Sequence, residues 1–219
     1  IMYPGHTGVE DFDLVCIPHH DSIPSGSNIF HITGAPHRVT EDRLSEARND
    51  WKDRLMRLPK PRIALIVGGS TKRRVFTEQM AKELGAAASK MAIDAQGSLM
   101  VTTSRRSSDS IQSLLAEIKA PAEIFKWGDV GENPYLGFLS MADGVIVTGD
   151  SISMCSEAVA TSGPVWIYAP KKMTIHKYGL FHKKLVEDGY AKFLDIQTAT
   201  FEHWQHPPLN AANHIAEEI

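Results

Sequence analysis

Cysteine is scarce in this sequence, and long apolar runs and targeting signals are absent. Cys16 and Cys155 are the two cysteines among 219 residues, which is too few for a disulfide framework and predicts buried thiols in a reducing compartment. No apolar run approaches the length of a membrane span, and no secretory signal pattern opens the chain. We therefore expect a globular protein of the cytoplasm.

Positive charge is not in excess either. The 23 lysines and arginines stand against 26 aspartates and glutamates, so the formal net charge is −3. A chain with this balance has no bulk attraction to nucleic acid, and we expect no nucleic-acid partner. Residues 72–74 and 105–106 are local basic spots that could still serve a phosphate group.

Apolar strands alternate with amphipathic helices through most of the chain. Residues 63–67 form a continuous apolar run that ends in glycines. The segment after it carries apolar side chains at helical spacing, namely Phe76, Met80, Leu84, Ala87 and Met91. Strands are predicted again over residues 99–103, 123–126, 144–148 and 165–168. This alternation predicts an α/β fold with a doubly wound, mostly parallel, Rossmann-like sheet.

A stiff proline step divides the chain. Residues 59–62 read Pro-Lys-Pro-Arg, and proline restricts both itself and its neighbours, so we place a domain boundary between residues 58 and 59. The earlier part offers two predicted strands and one helix, which cannot bury a sheet. We therefore expect residues 1–58 to be the C-terminal part of an incomplete N-terminal α/β domain. Residues 59–219 are then the Rossmann-like domain, closed by a C-terminal helix.

The stretch over residues 142–170 is the most informative. A strand leads through a Gly-Asp-Ser turn into a helix predicted over residues 154–161. Amides at a helix N-terminus attract phosphates, and Ser151 and Ser153 add hydroxyls there. Glu157 shares a helix face with Ser153, where a carboxylate suits ribose hydroxyls. The alternative is that Ser153 is only a helix cap and Glu157 a solvated residue.

Other loops that follow predicted strands should open at the same edge of the sheet. They supply the remaining candidate ligand-binding residues: Gly68, Gly69, Ser70, Ser104, Arg105, Arg106, Asn133 and Asp150. The glycines permit close backbone approach, but they also suit an ordinary turn. Lys72 does not complete a Walker loop, because the later Gly-Lys-Ser/Thr is missing, and this disfavours a nucleotide-dependent phosphoryl transferase.

Histidines follow both early strands and should face the cleft between the two domains. His20 and His37 are candidate general bases, and Asp21 lies beside His20. Because adjacent histidines in a loop rarely converge on one ion, we predict no metal site. The simplest alternative is that these residues only position the loop.

Several segments together resemble one family. They are residues 12–21, 28–40, 61–70, 101–107, 132–143 and 147–165. These segments are similar to the elongated-mitochondria fission proteins of plants and their bacterial homologues, and the Asp-Ser-x-Ser-Met-x-Ser-Glu run of residues 150–157 is quite specific. The same run resembles, more distantly, the C-terminal domain of GT-B glycosyltransferases such as the lipid-intermediate N-acetylglucosaminyl transferase.

The resemblance to GT-B transferases implies a site for a nucleotide sugar, linked to UDP or GDP and bound as a substrate, with no cofactor. It gives the diphosphate role to Ser151 and Ser153 and the ribose role to Glu157, with residues 68–70 flanking the phosphates. Asp150 departs from the glycine-rich turn of those transferases and is expected to bring a negative charge beside the diphosphate.

Two functions stay open at this point. The first is a metal-independent glycosyltransferase of cell-envelope saccharide synthesis. In it His20, His37 or Asp21 deprotonates an unknown acceptor, and Arg105 or Arg106 stabilises the leaving diphosphate. The second is a non-catalytic GT-B-like scaffold that binds partners and associates peripherally with membranes.

Overall fold

The structure is a computed structural model that describes Met2 and residues 7–107 and 110–219. Residue 1 and residues 3–6 of the predicted N-terminal unit lie outside the described residues. The helices and strands follow one another as β1 Val15–Pro18, β2 Ile29–Ile32, α1 Glu41–Leu55, β3 Arg62–Val67, α2 Glu78–Asp94, β4 Ser98–Thr103, α3 Ile111–Leu115, β5 Ala122–Phe125, α4 Tyr135–Met141, β6 Gly144–Thr148, α5 Ile152–Ala158, β7 Val165–Tyr168, α6 His176–Glu187, β8 Lys192–Phe193 and α7 Ala211–Glu218. Short 3-10 turns follow β1 and β4, at His19–Asp21 and Arg105–Ser107.

Six parallel strands form the main sheet in the order β5-β4-β3-β6-β7-β8. Helices α2 and α3 cover one face, where Leu84 and Leu114 are fully buried. Helices α1, α4, α5 and α6 cover the other, where Phe138 and Leu185 are fully buried. Because both faces are covered, the central strands β3, β6 and β7 are buried along their whole length and are mostly continuous apolar runs rather than alternating ones. The predicted doubly wound α/β fold is confirmed.

The strand order reverses between β3 and β6. From β3 the chain winds outwards through β4 and β5, and it then returns to the other side of β3 for β6, β7 and β8. The loops that follow β3 and β6 therefore leave the sheet in opposite directions and open a crevice between them, which is where open α/β sheets bind ligands.

The two early strands form a separate parallel pair, in which Val15 lies opposite Ile29. Helix α1 follows them and packs on α4. The two helices approach so closely that a Cβ at Gly137 would lie 2.4 Å from Cγ of Trp51. Helix α7 contacts β2, so both ends of the chain meet at this pair. The boundary between residues 58 and 59 stays a prediction.

Some elements differ from the sequence-based expectation. Helix α5 begins at Ile152, two residues earlier than predicted, because Ser151 is its cap. Helix α6 and the two-residue strand β8 were not predicted. Helix α6 buries His182 beside Phe181 and Leu185, so its apolar face is interrupted by a titratable side chain. Both cysteines are free and buried, as predicted.

Candidate functional site

Three loops meet at the crevice, and hydrogen bonds join them. The turn after β3 donates all three of its backbone amides within the protein. Gly68 N donates to Thr148 Oγ1 at 2.7 Å, Gly69 N to Asp150 Oδ2 at 3.1 Å, and Ser70 N to the carbonyl of Arg106 at 3.0 Å. The structure thus brings the predicted glycine turn together with the loops after β4 and β6.

The two glycines are required by these contacts. A Cβ at Gly68 would lie 2.3 Å from the carboxylate oxygens of Asp150, and one at Gly69 would lie 2.2 Å from the carbonyl oxygen of Arg106. Gly69 also has φ +133, which L side chains rarely adopt. The turn is therefore held shut by the protein's own groups, so its three amides do not form an open phosphate cradle. A ligand role for residues 68–70 stays a prediction.

Asp150 lies beneath the turn with its side chain fully buried. One carboxylate oxygen is 2.8 Å from Nη2 of Arg106, while Oδ1 has no hydrogen-bond partner among the described residues. Burial raises the pKa of Asp150, and the hydroxyl of Thr148, the guanidinium of Arg106 and the amide of Gly69 oppose the rise. This charge lies directly beneath the turn, and the expectation from the sequence that it lies beside a diphosphate stays a prediction.

The loop after β4 contains an arginine that has no ion-pair partner among the described residues. Ser104 Oγ donates to the carbonyl of Gly68 and accepts from Arg106 N at 3.2 Å, so it serves the loop itself. The charge of Arg106 is compensated by Asp150, although its side chain is 35% exposed. Arg105 is exposed and makes no ion pair among the described residues. Of the two arginines in this loop, Arg105 is therefore the one whose charge is not compensated among the described residues.

Helix α5 presents a serine and a glutamate. Ser151 Oγ accepts from Met154 N at 3.3 Å and caps the helix, so the cap is Ser151 and not Ser153. Ser153 is exposed in the first turn, and Glu157 lies one turn further along, partly buried. Glu157 is not simply solvated, because its Oε2 accepts a hydrogen bond from the phenol of Tyr135.

Tyr135 was not predicted as a site residue. It opens α4, and Asn133 Oδ1 accepts from its backbone N–H at 3.1 Å. Asn133 therefore fixes the start of α4, and its part in ligand binding stays a prediction. Burial raises the pKa of Tyr135 well above its ordinary value, and the carboxylate of Glu157 raises it further. No spacing in the sequence connects the two residues, which are 22 positions apart.

His20 and Asp21 lie together against α6. The ring of His20 packs on Phe181 with centroids 5.3 Å apart, and Asp21 forms an ion pair with Lys177. Burial lowers the pKa of His20, with Lys177 acting in the same direction and Asp21 against it. A histidine that is neutral at pH 7 can accept a proton. His182 follows Phe181 and lies against the turn after β6, since a Cβ at Gly149 would be 2.6 Å from its Cε1.

His37 lies at the other end of α5. Its Nε2 is 3.3 Å from the carbonyl of Leu209, whose own N–H donates to Val159 just after the end of the helix. Its Nδ1 accepts from Val39 N at 3.3 Å. Both ring nitrogens of His37 thus interact with backbone atoms. Because these contacts lie near the C-terminal end of α5, they are separated from the start of that helix by its length, about 10 Å. The structure does not bring His37 together with His20.

A groove of about 1250 Å³ opens at the opposite edge of the sheet, around residues 160–164 and α1. Two of its charged side chains already have partners within the protein. Arg48 donates twice to the carbonyl of Ser140, at 3.0 and 2.8 Å, and Asp143 is 3.3 Å from Lys60. We take the crevice at the strand-order reversal as the candidate site, because open α/β sheets bind ligands there.

Two further observations concern the described ranges, Met2, 7–107 and 110–219. In them no three histidine, cysteine, aspartate or glutamate side chains are arranged to hold a metal ion. In the same ranges no helix combines the length and the apolar character that crossing a bilayer requires.

Comparison with solved structures supports the fold. The UDP-GlcNAc 2-epimerase of Neisseria meningitidis, solved with UDP-GlcNAc bound, superposes with a TM-score of 0.53 at 15% identity, covering 94% of this chain and 61% of the epimerase. At this identity the likeness shows the fold alone. The α/β fold class expected from the sequence, with its parallel sheet, is thereby confirmed.

Comparison of sequences gives the family. The mitochondrial fission protein ELM1 of Arabidopsis thaliana is 26% identical over 235 residues, covering 95% of this chain and 55% of that protein. A Rickettsia prowazekii protein designated RP120 is 31% identical over 204 residues, covering 91% and 56%. The chain thus spans about half the length of the curated relatives it matches. Since the family model described as mitochondrial fission ELM1 matches residues 1–219, the protein belongs to the mitochondrial fission ELM1 family.

Proposed function

We propose that the crevice at the carboxyl ends of β3, β4 and β6 binds a nucleoside diphosphate sugar. The supporting observation is a set of polar groups beside the strand-order reversal that have unused bonding capacity among the described residues, namely Arg105, Ser153 and Glu157. A guanidinium and a hydroxyl suit a diphosphate, and a carboxylate suits ribose hydroxyls. Because the epimerase of similar fold was solved with UDP-GlcNAc, a UDP-linked sugar is the first ligand to try.

The transferase form of this proposal needs a base and a stabilised leaving group. The acceptor oxygen bonds to the anomeric carbon while its proton passes to His20, and the bond from that carbon to the diphosphate breaks. His20 is neutral and lies on the α6 side of the crevice. Arg105 carries the compensating charge for the departing diphosphate, because Arg106 already serves Asp150. The proposed acceptor is a cell-envelope saccharide, and no metal takes part.

A non-catalytic scaffold is the second candidate, and one observation favours it. The loop after β5 exposes two apolar side chains at the same edge, Trp127 and Val130, with Val130 wholly exposed. The loop after β3 adds the exposed basic residues 72–74. Exposed apolar groups beside cations suit a protein partner or peripheral association with a membrane. This function needs no bound nucleotide.

A thermal-shift titration separates the two. At a ligand concentration about 100 times Kd, binding to the folded state alone adds roughly 2.7 kcal/mol and raises Tm by about 5–10 °C. We expect this rise with UDP-GlcNAc, UDP, GDP or a GDP-sugar, and we expect its loss in E157A. The matched control is E187A, which removes an exposed glutamate of α6. No rise with any of these ligands favours the scaffold.

A further inference from the structure

A single hydrogen bond fixes the carboxylate of Glu157. Among the described residues, the phenol of Tyr135 is its one side-chain partner, and the bond ends on Oε2. A carboxylate offers about four acceptor positions over its two oxygens, so Oε1 and the rest of Oε2 stay available. No lysine or arginine neutralises it among those residues.

The phenol itself is held in place by α4. Asn133 accepts from the backbone N–H of Tyr135, the carbonyl of Pro134 accepts from Phe138 N at 2.7 Å, and the ring of Phe138 is fully buried. Gly137 lies directly on Trp51 of α1. Helix α4 therefore cannot rotate without disturbing the core, and the hydroxyl of Tyr135 keeps its position relative to α5.

The phenol acts as a permanent donor. Since burial and the charge of Glu157 raise the pKa of Tyr135, the hydroxyl keeps its proton throughout the neutral range. A neutral donor orients a carboxylate without cancelling its charge. An oriented carboxylate can accept from two neighbouring hydroxyls at once, whereas a freely rotating one loses side-chain entropy on binding.

We infer that Tyr135 is a positioning residue that aims Glu157 at the 2′- and 3′-hydroxyls of a ribose and so makes the site prefer ribonucleotides to 2′-deoxyribonucleotides. This inference rests on the proposed function, because it deepens the ribose role of Glu157. A purely structural tyrosine would support folding and affect both kinds of nucleotide equally. The ratio of the two affinities is therefore the quantity to measure.

The experiment is isothermal titration calorimetry of the full chain with UDP and 2′-deoxy-UDP, and with GDP and 2′-deoxy-GDP. The wild-type protein should bind the ribonucleotide roughly tenfold more tightly, the amount expected for one hydrogen bond to a charged group. In Y135F the ratio should fall to within about twofold, mainly through weaker ribonucleotide binding. The control Y178F removes a hydroxyl from α6 and should keep the wild-type ratio.

The possible outcomes distinguish a failure of this inference from a failure of the proposed function on which it rests. Failure of the wild-type protein to bind any of the four nucleotides overturns both. If Y135F binds nucleotides with the wild-type ratio of ribonucleotide to 2′-deoxyribonucleotide affinity, only the inference about Tyr135 is overturned. If E157Q loses that ratio in the same experiment, the ribose role of Glu157 is retained. If Y135F melts below the assay temperature, 3,5-difluorotyrosine at position 135 replaces it, and the ratio should fall as the pH is raised and that phenol ionises.

Discussion

His182 should make the protein sensitive to mild acid. Its side chain is fully buried on α6, and Nδ1 has no hydrogen-bond partner among the described residues. Nε2 lies 4.0 Å from Sγ of Cys155, and the ring packs against Gly149. His20 is a second histidine in the same region. Among the described residues no acidic side chain acts on the pKa of His182, so a proton on its ring would be a buried cation without a counter-charge.

The size and sign of the effect follow from the pKa. Burial lowers the pKa of His182 from 6.5 to about 4, with His20 acting in the same direction and the backbone of Gly149 opposing. Between these two values the unfolded chain binds the proton and the folded chain does not, so stability falls as the pH falls. The part of the unfolding free energy that depends on a neutral His182 is fully present above pH 6.5, and it is lost as the pH falls to about 4. The difference corresponds to roughly 3 kcal/mol, a large part of the 5–15 kcal/mol typical of a domain.

Urea unfolding at a series of pH values between 7.5 and 4.5 measures this slope. H182F keeps a ring of similar size without a titratable nitrogen, so it should lose most of the pH dependence, even if its stability at pH 7.5 is lower. H214Q removes an exposed histidine from α7 and should retain the wild-type slope. Equal slopes for the wild type and H182F would refute the assignment to His182, and the acid sensitivity would then belong to His20 or another group.

Three further substitutions test contacts around the crevice. Gly137→Ala should cost about 1–3 kcal/mol of unfolding free energy, because its Cβ would meet the indole of α1 at 2.4 Å; Gly163→Ala, with no neighbour nearer than 3.4 Å, is the control in the same urea assay. Arg106→Gln leaves the carboxylate of Asp150 buried without its ion-pair partner and should cost about 2–3 kcal/mol at pH 7. That deficit should shrink as the pH is lowered, because burial raises the pKa of Asp150 and a protonated carboxyl needs no ion-pair partner; a deficit that does not change with pH argues against the ion pair. Arg105→Ala should weaken UDP binding roughly tenfold and uridine binding hardly at all, since only the diphosphate needs the cation; an equal loss for both contradicts this.

The strands could be predicted from the sequence because both faces of the sheet are buried. Strands β6 and β7 have the predicted bounds, Gly144–Thr148 and Val165–Tyr168, since a fully covered parallel strand is a continuous apolar run. Helix α6 could not be predicted in the same way. Its buried face contains His182, and Gly179 lies within it, so the apolar period is broken where the helix meets the crevice.

The directions of the polar side chains could not be predicted from local pattern. Ser151 and Ser153 are both plausible helix caps, and the choice between them depends on where the chain leaves β6. The inward turn of Asp150 depends on Arg106, which is 44 residues earlier in the sequence and becomes its neighbour only through the order of β4, β3 and β6. The pairing of Tyr135 with Glu157 has the same origin, because α4 and α5 flank one strand.

The closed turn after β3 determines which part of a ligand this crevice can recognise. In an open phosphate cradle the turn amides bind the diphosphate, but here Asp150 and Arg106 already occupy that role from within the protein. Binding through phosphate alone would therefore rest on Arg105 and on hydroxyls, which any anion could satisfy. Discrimination must come from a group with fixed direction and unused acceptors, and in the described part of the site that group is Glu157, held by Tyr135. A nucleotide that binds here should accordingly be selected by its ribose more than by its phosphates.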